Sequence, residues 1–100
     1  MTIENFNKIL STVWSDEQCH RILSEWEPNQ YAGCPIFDGL NIIRKYCNGD
    51  FSLVHEARHK CVISHRMEDL VEWGIVEEDV EILSVLGWQN ADGRLCCQPD

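Results

Sequence analysis

The chain has 100 residues, with 17 acidic and eight basic side chains, a formal charge of −9 and a pI near 4.7. Its 44% hydrophobic residues, four of them Trp, are enough for one compact core, which excludes wholesale disorder and predicts a single domain over 1–100. The acidic balance argues against direct nucleic-acid binding, which needs clustered Lys and Arg, and against anionic membranes. No apolar run approaches the length of a bilayer span.

In chain order, Ile3, Phe6, Leu10 and Val13 recur at spacings of three and four, which predicts a helix over 3–13. Ser15 and Gln18 form the S-x-x-Q pattern of a capping box. A second helix then runs through Cys19, Ile22, Leu23 and Trp26 and ends at Glu27-Pro28. Phe37, Leu40, Ile42 and Ile43 predict a third helix between Ile36 and Tyr46, followed by a turn at Asn48-Gly49-Asp50. Residues 51–64 have β character at both ends, so two strands joined tightly around Glu56 to Arg58 are expected; a helix over His55 to His59 is the competing assignment.

Ser64 is placed to cap a helix carrying Met67, Leu70, Val71 and Trp73, which Gly74 stops. Glu77-Glu78-Asp79 opens a last helix through Val80, Ile82, Leu83 and Leu86, which Gly87 ends. Asn90 to Gly93 reads as a turn before a short strand over 94–97. The expected class is therefore α+β: a helix-rich single domain with a small antiparallel β-sheet from about 51–55, 59–64 and 94–97.

The N-terminal stretch lacks a cationic start and a long apolar segment, so no secretory signal and a cytoplasmic location are expected. The six cysteines then read as reduced thiols; they contain no C-x-x-C, and Cys96 and Cys97 are adjacent, a poor geometry for pairing with each other. Most are expected to be small buried hydrophobes.

His55-Glu56-Ala57-Arg58-His59 matches H-E-x-x-H. On a helix the two imidazoles would lie one turn apart and share a Zn²⁺ while the Glu polarised its water, as in the zincin metalloproteases this string resembles. Glu72, Glu78 and Glu81 are the candidate third ligands, and a looser zinc site could gather Cys47, His55, His59, Cys61 and His65. Arg58 and Lys60 would set two cations beside the metal, and Cys61-Val62-Ile63 favours a strand. The preferred reading makes these His residues surface groups, the protein a non-enzyme and its cofactors none, with zinc-dependent hydrolysis as the alternative.

From Met67 to Gly93 there is no Lys, Arg or His, but there are Glu68, Asp69, Glu72, Glu77, Glu78, Asp79, Glu81 and Asp92. The first seven of these acids are the candidate partner-binding residues, an anionic face on two helices suited to a protein with a basic surface. An exposed Trp beside them would serve as an anchor. The layout DGLNIIRKY, His55-Glu56, Cys61-Val62-Ile63 and EEDVEILSVLGW, over residues 38–88, resembles small uncharacterised phage and prophage proteins. By analogy of size and charge, that resemblance implies an anti-CRISPR or other anti-defence inhibitor acting on a nucleic-acid-handling host protein such as a CRISPR effector. An immunity protein against a cationic toxin would need the same anionic face.

Overall fold

The computed structural model describes residues 1–26, 34–47, 54–58 and 61–97. The first helix, α1 (Ile3–Leu10), starts where the Thr2 hydroxyl accepts a hydrogen bond from the Asn5 amide at 3.1 Å. It stops before the stripe does. The hydroxyls of Ser11 and Thr12 bond back to the carbonyls of Asn7 and Lys8, and Val13, expected on the buried face, is 94% exposed. Side-chain competition for the last carbonyls ended the helix sooner than apolar spacing implied.

Helix α2 (Asp16–Trp26) begins with the expected reciprocal box: Gln18 N donates to Ser15 Oγ at 3.2 Å and Ser15 N to Gln18 Oε1 at 3.0 Å. Helix α3 (Pro35–Arg44) opens on a proline at its first position, where no amide is needed. Its buried Asp38 turns back to accept from the Cys34 amide at 3.1 Å. Gly39 is required here, because a Cβ would lie 1.9 Å from Nε1 of Trp88. That indole nitrogen donates to the Pro35 carbonyl at 3.0 Å.

Four antiparallel strands form one sheet: β1 (Glu56–Arg58), β2 (Cys61–Arg66), β3 (Trp88–Ala91) and β4 (Arg94–Cys97), in the order β1-β2-β4-β3. The α+β class stands, with the sheet drawn differently from expectation. Residues 56–58, expected as a connection, are themselves a strand, and the anticipated turn at 48–50 and strand residues 51–53 lie outside the described residues. Val54 and His55 are not in a strand, although the His55 amide donates to the Ile63 carbonyl at 2.8 Å.

The β3 strand was missed. Polar Gln89 and Asn90 obscured it, and the turn is only Asp92-Gly93, with φ of 53° and 86°. These positive values suit a two-residue hairpin, and Asn90 Oδ1 secures it by accepting from the Gly93 amide at 2.7 Å.

Two further helices link the strands. Helix α4 (Met67–Glu72) follows β2 without a break, and α5 (Glu77–Val85) leads into β3. Ser64 is therefore not the cap of α4. It is buried within β2, and Arg66 holds the cap position without a side-chain bond. Helix α5 packs against α1, α2, α3 and β3, so Val80 and Leu83 are fully buried among Phe6, Ile43 and Trp88 in one core. Burying each such side chain contributes about 1.5–3 kcal/mol before entropy is counted.

Candidate acidic interface

The acids of α4 and α5 meet different surroundings. Glu68, Glu72, Glu77 and Glu78 are exposed; Asp69 and Glu81 are half-buried. Asp79 is an exception to the predicted face. It is 7% exposed and accepts from both Lys45 Nζ, at 2.9 Å, and the hydroxyl of Tyr46. Its position in the first turn of α5 points it toward the end of α3, where those two side chains wait. The Val76 amide completes the knot by donating to the Tyr46 oxygen at 3.4 Å. Burial, and then the hydrogen bond to Asp79, push the Tyr46 phenol up to about 12.

The six remaining acids have different neighbours. Glu68 lies 3.3 Å from Arg66, with both side chains exposed. Glu77 accepts from Asn5 Nδ2 of α1 at 2.8 Å. Glu78 and Glu81 line a cleft of about 300 Å³ with Glu25 and Trp26 of α2 and Lys45 of α3. Helix α1 packs against both α4 and α5.

Trp73 stands at the end of α4 beside Glu72. It is 37% exposed, and its ring meets buried His65 edge-on at 5.4 Å. Val76, 47% exposed, follows in the same connection. Trp14, Trp26 and Trp88 are withdrawn by comparison: Trp14 donates to Ser84 Oγ at 2.8 Å, and Trp88 is fully buried.

The described part of the H-E-x-x-H string, 55–58, takes no helical form. Residues 56–58 are a β-strand, so the helix that the zincin likeness requires is not formed over them. His55 is exposed, and His59 lies outside the described residues. Of the looser set, Cys47 and His65 are buried, while Cys61 begins β2. Among the described residues no three His, Cys, Asp or Glu side chains converge in a way that could hold a metal ion. No helix among them is long and apolar enough to cross a membrane.

A cleft of about 550 Å³ between the end of α1 and β3 is lined by neutral side chains. Several of these already bond one another. Asn90 Nδ2 donates to Asn7 Oδ1 at 2.8 Å, and Ser84 Oγ donates to the Leu10 carbonyl at 3.2 Å.

Sequence reasoning missed the Lys45–Asp79–Tyr46 knot. Its one trace was the adjacent Lys45-Tyr46 pair closing a predicted helix, which does not reveal what lies opposite. No family model, curated protein or solved structure matches the chain.

Proposed function

We propose that this protein is a non-enzymatic binding module that captures a basic surface on a partner protein. The observation that carries this reading is the exposed Trp73, next to exposed Glu72 and followed by exposed Glu77 and Glu78 in a segment without a single base. A Trp supplies the desolvated anchor typical of interface centres. Surrounding carboxylates steer a cationic partner and speed its encounter. Asp79 has no part in this contact, since its charge is already met inside the molecule.

In its finer form the reading is a phage-type anti-defence inhibitor that occupies the nucleic-acid groove of a host protein. A CRISPR effector has the required basic groove. The chain's charge of −9 supports this form.

The test compares capture of basic proteins from a bacterial lysate by the intact chain, at low and high salt, with capture by two variants. Trp73→Ala should weaken the dominant complex roughly 10-fold or more. The triple variant Glu72→Lys, Glu77→Lys, Glu78→Lys should weaken it and flatten its salt dependence. Equal capture by all three proteins would remove this surface from the mechanism.

A further inference from the structure

Alternation along β2 and β4 places two thiols together on one side of the sheet. Ile63 pairs with Cys96 and Val62 with Cys97. Cys61, two residues before Ile63, therefore shares a face with Cys96 and is its diagonal neighbour. The inward face is different: Ser64, Leu95 and Cys97 are buried against the helices. Cys61 and Cys96 are only half-buried, so a small molecule can reach them. Cys61 is near enough to act on the Cys96 thiol. We propose that Cys61 and Cys96 are an oxidation site, a dithiol that hydrogen peroxide converts into a disulfide stapling β2 to β4.

The chemistry balances in two steps. The Cys61 sulfur attacks one peroxide oxygen, the O–O bond breaks, and Cys61 becomes a sulfenic acid as one water leaves. The Cys96 sulfur then attacks the Cys61 sulfur, its proton goes to the departing hydroxyl, and a second water leaves as the S–S bond forms. Two thiols lose two electrons and two protons in all, and one peroxide is reduced to two waters. Burial first, and then the hydrogen bond and charge of Cys61, push Cys96 up to about 12. A thiol held protonated is the poorer first nucleophile, so the first attack is assigned to Cys61. Buried Cys97 is also pushed up, to about 11, by burial first.

The test oxidises the full native chain with hydrogen peroxide, blocks remaining thiols by alkylation and maps disulfides by mass spectrometry. One intramolecular Cys61–Cys96 bond is expected, reversed by dithiothreitol. It should be retained in Cys34→Ser and lost in both Cys61→Ser and Cys96→Ser. Oxidation should also raise the thermal midpoint of the unaltered chain by about 10 °C, because the bond closes a long loop. The proposal is overturned by a bond mapped to any other pair, by a bond between chains, or by thiols that stay reduced or proceed to sulfinic acid without pairing. The map on the unaltered chain decides the pairing even if a serine variant fails to fold.

Discussion

Helices α4 and α5 open with similar acidic stretches, Glu68-Asp69 and Glu77-Glu78-Asp79, yet their carboxylates meet different fates. On α4, Glu68 stays at the surface opposite an exposed arginine. On α5, the third acid is drawn inside, where a lysine and a tyrosine from the end of α3 meet it. Helix-terminus electrostatics favour acids at both places. What lies across the gap decides whether an acid becomes part of the interior or remains free for a partner.

The largest effect that separates the two is expected from Asp79→Ala. It strips the Tyr46 hydroxyl and the Lys45 ammonium of their shared acceptor, and should cost about 2 kcal/mol in urea unfolding. A loss below about 0.5 kcal/mol would mean that Asp79 is no more integrated than a surface acid.

A smaller effect should appear in alkali. The folded Tyr46 phenol lies above its ordinary value of 10.0, at about 12. Its contribution is therefore fully present below pH 10 and is lost as the pH rises through about 12. Cys96 and Cys97, raised from 9.0, act in the same direction from pH 9 upward. Urea midpoints should fall across this range, and Tyr46→Phe should remove only the part that begins near pH 10. An unchanged slope in that variant would detach Tyr46 from the knot.

The smallest effect belongs to α4. Glu68→Gln breaks only an exposed pair and should shift stability by less than about 0.5 kcal/mol. A larger loss would erase the contrast between the two helices.

Local signals were legible wherever they were self-contained. The Ser15–Gln18 box is complete within four residues and stands as read. The glycines at 74 and 87 both adopt positive φ, as predicted helix stops should. Tertiary partners were not legible. Ser64 had the chemistry of a cap but was consumed by β2, and Asn90 and Ala91, read as the start of a turn, are the end of β3. The proposed acidic face was legible as composition only: nothing in the spacing of Glu77 and Glu81 announces that the first meets Asn5 of α1 and the second lines a cleft with α2. The Cys61–Cys96 contact likewise needs a strand register that a single sequence does not provide.

The indole of Trp88 lies where a side chain on Gly39 would otherwise be, bonded to a carbonyl 53 positions away in the chain. The closing hairpin is thus keyed into an early helix, and neither can peel off while the other stays docked. Amide protons of α3 and of the last two strands should consequently exchange through a common opening event, so that the molecule comes apart as one cooperative unit instead of fraying from its carboxyl end.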